Sequence, residues 1–243
     1  MEWLVKLRGD SVDLERLRTD LASGTVKVIF RETDNKGYFL SAGKFAALGD
    51  PDEVRNAAEE LIPMINGIAK LRWADAQPVQ FEGMIRVGDG REDVFVPVAS
   101  NHMRMAAGTP TVRLGPAGAE QTPPKSIIEP AVSAAETDAP VAKALRILGS
   151  AKLNWAVLRR LYEVLEGDVG QPSRIEKRGW ATQEQIKRFI ESASQPEASG
   201  DEAVHGRSTR PLYYAPLHFE DGKAFVLGLL RRWVDSKLNA RGS

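Results

Sequence analysis

Residues 115–140 interrupt the hydrophobic patterning that runs through the rest of the chain. This segment is rich in Pro, Ala, Gly, Ser and Glu, and its main apolar pair is Ile127 and Ile128. Proline removes a backbone donor and restricts the preceding residue to extended conformations. With so few apolar groups, burial offsets little of the entropy lost on ordering the segment. The sequence therefore predicts a flexible linker over 115–140, between an N-terminal domain at 1–114 and a C-terminal domain at 141–240.

The composition supplies enough apolar material for a core in each part. The chain has 243 residues, of which 42% are hydrophobic and 27% are charged, and these values are ordinary for globular proteins. It has no cysteine, which excludes disulfides, thiolate metal sites and cysteine nucleophiles, and which suits a reducing compartment. No apolar run approaches the roughly 18 residues of a membrane span, and no signal peptide is readable. We therefore expect a cytoplasmic protein without membrane contact.

The charges are distributed unevenly along the chain. Residues 1–114 contain 15 basic and 17 acidic residues, whereas residues 141–243 contain 17 basic and 12 acidic residues. The net charge of the C-terminal part is therefore +5. A dedicated nucleic-acid-binding protein usually shows a stronger and more clustered excess of basic residues.

The N-terminal part alternates between strand and helix patterns. The predicted order is β-α-β-β-α-β-β, and its first six elements match the ferredoxin-like split βαβ order. Apolar residues at helical spacing predict one helix that begins near Ser11. They predict a second helix that begins at Pro51, with Asp50 as its N-cap. Pro63 lies inside the second helix and should kink or restart it, because its ring clashes with the preceding turn. The predicted strands are 3–7, 26–30, 38–40, 79–87 and 93–98.

The C-terminal part is patterned for helices only. Residues 141–166 form a long helical pattern that we expect to break at Gly149 and Ser150. Thr182 and Gln185 have the spacing of a capping box, and the last helix should span roughly 220–238. A small helical bundle is the natural architecture for these helices. The predicted fold class is therefore α+β, with a ferredoxin-like N-terminal domain and a C-terminal helical bundle.

Two aromatic residues of the N-terminal part are candidates for a binding surface on the sheet. Lys36, Gly37 and Tyr38 begin as the third strand of an RNA-recognition motif does, but Phe39 and Leu40 depart from that pattern. Trp3 on the first strand is a possible stacking partner for a base. The domain's net charge of −2 opposes RNA binding, since phosphate neutralisation dominates such affinity. The alternative is that Trp3 and Tyr38 are ordinary packing residues of the sheet.

The most unusual stretch joins the last two predicted helices. It contains His205, Arg207, Arg210, Tyr213 and Tyr214 within ten positions. A histidine titrates near neutral pH and arginines bind anions, so the stretch could form a binding or catalytic loop. The alternative is a long connection that is held in place by packing of its tyrosines and prolines.

Specific catalytic and cofactor signatures are missing. Three scattered histidines without cysteine make a poor zinc site, and no glycine-rich phosphate loop opens a helix. We therefore expect no cofactor and no metal. The favoured hypothesis is a non-enzymatic interaction or adaptor protein that presents two separate surfaces to other protein subunits. The alternatives are a hydrolase or nuclease that uses the His205, Arg207 and Arg210 loop, and a nucleic-acid-binding protein that uses the basic C-terminal domain.

Overall fold

A computed structural model describes residues 2–32, 35–73, 75–88, 91–95, 128–204 and 211–241. They form a mixed α+β fold in which one antiparallel sheet has the strand order β2-β3-β1-β4-β5. All five predicted strands are present, although their ends differ by a few residues. The strands are β1 (Glu2–Arg8), β2 (Val26–Arg31), β3 (Gly37–Ala42), β4 (Gln80–Gly88) and β5 (Arg91–Phe95).

The helices include every helix that the sequence predicts and several shorter ones. The helices of the first part are α1 (Ser11–Asp20) and α2 (Pro51–Arg72). The later helices are α3 (Ile128–Thr137), α4 (Ala139–Ser150), α5 (Trp155–Val169), α6 (Pro172–Lys177), α7 (Gln183–Ser194), α8 (Pro196–Ser199) and α9 (Phe219–Arg241). Within the described part of the chain, no helix is both long and apolar enough to cross a membrane.

Local signals account for the starts of α1, α2 and α7. Asp10 caps α1 through two backbone amides, and Asp50 accepts a hydrogen bond from the Asp52 amide at 2.7 Å. The capping box of Thr182 and Gln185 is complete, with both reciprocal hydrogen bonds present. Such caps satisfy backbone donors that have no partner inside the helix. The predicted interruption at Gly149 and Ser150 is also confirmed, since α4 ends at Ser150.

The two faces of the sheet are covered differently. Trp3, Val5 and Leu7 alternate along β1 and are buried in the main hydrophobic core with the helices. The opposite face carries a smaller buried cluster of Leu4, Phe39 and Ile85. Successive side chains of a strand point to opposite faces, so this alternation assigns each residue to one side.

An ion pair joins the two edge strands across the smaller cluster. The Arg31 guanidinium on β2 lies 2.5 Å from the Glu92 carboxylate on β5. The same guanidinium lies 5.8 Å from the centre of the Phe39 ring. Asn35 donates a further hydrogen bond to Glu92 at 2.9 Å. These contacts bring together strands that are separated by three others in the sheet.

Helices α2 and α4 cross at unusually short range, because glycines face backbone at the crossing. A Cβ atom added to Gly67 would collide with the Leu145 carbonyl group, and one added to Gly149 would collide with the Pro63 carbonyl group. Lys70 also donates a hydrogen bond to the Leu148 carbonyl at 2.9 Å. Pro63 does not restart α2, which continues to Arg72. The crossing joins the part of the chain before residue 114 to the part after residue 141.

The second half of the predicted linker is helical and packs its apolar side chains in the core, which corrects the prediction for residues 128–140. Ile128, Ala131 and Val132 of α3 are at most 1% exposed and belong to the main core. Pro130 and Pro140 lie in the first turns of α3 and α4, where proline displaces no helical hydrogen bond. Alanine is also the best helix former. The predicted start of the helical domain at 141 falls inside α4, and residues 115–127 lie outside the described residues.

A buried ion pair links the ends of α1 and α2. The carboxylate of Asp20 and the guanidinium of Arg72 are 3.5 Å apart, and both side chains are largely buried. Burial raises the pKa of Asp20 above its ordinary value of 3.8, because desolvation of the carboxylate outweighs the attraction of Arg72. The Asp20 carboxyl group therefore stays protonated up to a higher pH in the folded state than in the unfolded state.

This pKa shift predicts the pH dependence of an Asp20→Asn variant. Stability of the wild type is lost as pH rises from the unfolded pKa through the raised folded pKa, whereas asparagine does not titrate. The free energy of unfolding of the variant, relative to wild type, should therefore increase from about pH 4 towards neutral pH. Urea unfolding of both proteins across this range measures the difference. If the difference in unfolding free energy between the two proteins did not change with pH, the pKa of Asp20 would not be raised in the folded state.

Candidate functional site

The segment 211–218 lies between α8 and α9 and contains two of the candidate residues, Tyr213 and Tyr214. It has neither helical nor strand structure, and Pro211 and Pro216 restrict its backbone. Side chains of α7 hold it in place through hydrogen bonds to its backbone. We refer to residues 211–218 as the tyrosine segment.

Glu191 of α7 makes the central contact. Its side chain is buried, with 5% of the residue exposed. One carboxylate oxygen, Oε2, accepts hydrogen bonds from the backbone amides of Tyr213 at 3.0 Å and Tyr214 at 2.9 Å. A charge is buried at acceptable cost only when it is hydrogen-bonded or paired. The two amides therefore both stabilise this carboxylate and depend on it for their own hydrogen bonds.

Two neighbouring residues of α7 hold the rest of the segment. The Ser192 hydroxyl accepts a hydrogen bond from the Leu217 amide at 3.0 Å and donates one to the Arg188 carbonyl at 2.8 Å. Arg188 donates from Nε to the Ala215 carbonyl at 2.7 Å. Arg188, Glu191 and Ser192 have i, i+3 and i+4 spacing, which places them on one helix face. That face fixes the backbone of the tyrosine segment at four positions.

The two tyrosine side chains of the segment differ in their exposure. Tyr213 is 88% exposed, whereas Tyr214 is half-buried. Their ring centres are 5.8 Å apart, within the usual range for aromatic pairs. The segment therefore presents a large exposed aromatic side chain, Tyr213, on a backbone that side chains of α7 fix by hydrogen bonds.

The sequence did not indicate the residues that hold the segment. It predicted Ile186, Phe189 and Ile190 as the buried face of α7, and Ile186 and Phe189 are indeed buried. Glu191 and Ser192 follow that stripe directly and are buried as well. No spacing rule distinguishes the buried Glu191 from the exposed Glu184 of the same helix, so only the tertiary contact identifies it.

The other candidates from the loop, His205, Arg207 and Arg210, lie outside the described residues. The hydrolase or nuclease hypothesis and nucleic-acid binding by the basic C-terminal part both stay predictions. Within the described residues, no group of three or more His, Asp or Glu side chains is arranged to hold a metal ion.

Trp3 is buried and Tyr38 is half-buried, and both lie on the face of the sheet that packs against the helices. Trp3 is 3% exposed and donates from its indole nitrogen to the Leu48 carbonyl at 3.0 Å. The Tyr38 hydroxyl donates to the Glu15 carboxylate of α1 at 3.0 Å. Burial, with the neighbouring Glu15 carboxylate, raises the pKa of Tyr38. Both side chains point towards the helices, so they support the packing alternative rather than base stacking.

The comparisons with known proteins add no family to this description. No protein-family model, no curated protein and no solved structure matches the chain.

Proposed function

We propose that this protein binds other protein subunits without catalysis, and that the tyrosine segment is the contact surface. The observation that carries the proposal is Tyr213, which is 88% exposed on a backbone fixed by a buried carboxylate. Tyrosine is enriched among the few interface residues that dominate binding energy. An aromatic side chain has only two rotatable bonds, so its ordering in a complex loses little conformational entropy.

The fixed backbone strengthens this proposal. Binding by a mobile loop loses affinity, because the loop must be ordered in the complex. Glu191, Ser192 and Arg188 already order the backbone of the tyrosine segment in the free protein. We propose one contact surface, because residues from both parts of the chain share one hydrophobic core. The idea of two surfaces joined by a flexible tether has lost support, since residues 128–140 are helical and their apolar side chains pack in the core.

Two further predictions concern the topology of the N-terminal part and the location of the protein. We infer a ferredoxin-like topology for residues 2–88, and the antiparallel order β2-β3-β1-β4 supports it. We also retain the cytoplasmic location, which the absence of cysteine favours.

Replacing Tyr213 by alanine is expected to weaken partner binding without changing the fold. If Tyr213 is a hot-spot residue, its truncation costs at least about 2 kcal/mol, which corresponds to roughly a thirtyfold increase in Kd. The measurement begins with quantitative affinity capture from the native host, followed by calorimetric titration of the purified partner. Light scattering of the protein alone detects the case in which the partner is a second copy of the chain.

The matched control is Val12→Ala, which shortens another exposed apolar residue, one that is 56% exposed on α1. This variant should bind the partner with unchanged affinity. The proposal fails if every captured protein binds wild type and Tyr213→Ala equally. It also fails if the protein has no partner and shows measurable turnover.

A further inference from the structure

A second candidate site lies in a cleft beside Lys44. This residue belongs to a short 3₁₀ helix at Gly43–Ala47, between β3 and α2. The next residue, Phe45, is 1% exposed and anchors the turn in the core. The cleft is open to solvent and is lined by residues of α2, α3 and α4, together with Lys44. These include Glu60, Met64, Ala135, Glu136, Ala142 and Arg146.

Lys44 is half-buried beside this cleft. Among the described residues, none makes a hydrogen bond or an ion pair within 4 Å with its Nζ atom. Burial lowers the pKa of Lys44, and the carboxylates of Glu136 and Glu60 offset this effect only in part. A larger fraction of this amine is therefore unprotonated near neutral pH than for a lysine in water. The unprotonated amine is the nucleophilic form.

Lys70 is also half-buried and also has a lowered pKa, but its amine is arranged differently. Burial lowers its pKa as well. Its Nζ atom, however, donates a hydrogen bond to the Leu148 carbonyl at the α2–α4 crossing. Lys70 therefore has a structural partner, whereas Lys44 lines an open cleft. Burial lowers the pKa of both lysines, so a difference in their reactivity would reflect the accessibility of the Lys44 amine.

We propose that Lys44 is a covalent attachment site for small neutral aldehydes. The unprotonated Nζ adds to the aldehyde carbon, and loss of the carbonyl oxygen as water, with both amine hydrogens, leaves a C=N imine. The walls favour a neutral ligand, because Lys44 and Arg146 are balanced by Glu60 and Glu136. Met64, which is 5% exposed, and the small side chains of Ala135 and Ala142 supply an apolar surface for a short alkyl chain. This proposal does not depend on the tyrosine segment.

The test is reductive trapping on the full chain. Substoichiometric butyraldehyde is added near neutral pH with sodium cyanoborohydride, whose hydride converts the imine into a stable secondary amine. Peptide mass spectrometry then measures alkylation at each lysine. Lys44 should be alkylated severalfold faster than the exposed Lys27, and Lys70 should remain nearly unmodified.

A second variant tests the charge argument directly. Glu136 is exposed, and its carboxylate favours the ammonium form of Lys44. Glu136→Gln should therefore increase the alkylation rate at Lys44 severalfold and leave the rate at Lys27 unchanged. Lys44→Arg should remove the fast-labelled peptide while the other peptides label as before. Equal rates at Lys44 and Lys27, or no effect of Glu136→Gln, would overturn the proposal.

Discussion

Replacing Gly149 by alanine is expected to destabilise the fold by on the order of 3 kcal/mol. The new Cβ atom would overlap the Pro63 carbonyl group and lie 2.8 Å from the backbone nitrogen of Gly67. Both obstacles are backbone atoms of α2, so no side chain can rotate away to make room. The helices must separate, and the well-packed core around their crossing loses contacts when they do.

Gly228 provides the matched control for this prediction. It also lies inside a helix, α9, but a Cβ atom there would meet nothing within 4 Å. Gly228→Ala should therefore leave stability unchanged or raise it by about 0.5–1 kcal/mol, since alanine has the higher helix propensity. Urea unfolding of the two variants measures the contrast. Equal midpoints for Gly149→Ala and wild type would show that α2 and α4 do not approach as closely as described.

Replacing Glu191 by alanine is expected to release the tyrosine segment. The change leaves the amides of Tyr213 and Tyr214 without their shared acceptor. Hydrogen bonds to a charged group contribute about 1.5–3 kcal/mol, so local opening should become easier by about 2 kcal/mol. Amide hydrogen exchange at residues 211–218 should then be roughly thirtyfold faster.

The control for Glu191→Ala is Glu184→Ala, on the same helix. Glu184 is exposed, and its removal should leave exchange in the tyrosine segment unchanged. Glu191→Gln retains an amide oxygen as an acceptor and should give an intermediate exchange rate. If Glu191→Ala left the exchange of Tyr213 and Tyr214 unaltered, the buried carboxylate would not hold the segment. Partner binding should weaken in parallel with the loosening, because the segment must then be ordered in the complex.

The sequence alone predicted the elements whose causes are local. The strands of the sheet follow from short β-branched and apolar runs, and the starts of α2 and α7 follow from Asp50 and from Thr182 with Gln185. A cap acts within three residues of itself, so its effect is readable without knowledge of the fold. The sequence also identified Tyr213 and Tyr214 as unusual residues in a connection.

Only the tertiary structure decided how these elements contact one another. Residues 128–140 looked like a linker because they are rich in alanine and proline, yet α2 and α9 offer these small side chains a surface on which to be buried. The twofold periodicity of β1 showed that its two faces differ, but the covering helices decided that Trp3 faces the core. Glu191 is held by amides more than 20 positions away. Contacts of this kind depend on which distant segments pack together, and no local pattern in the chain records that choice.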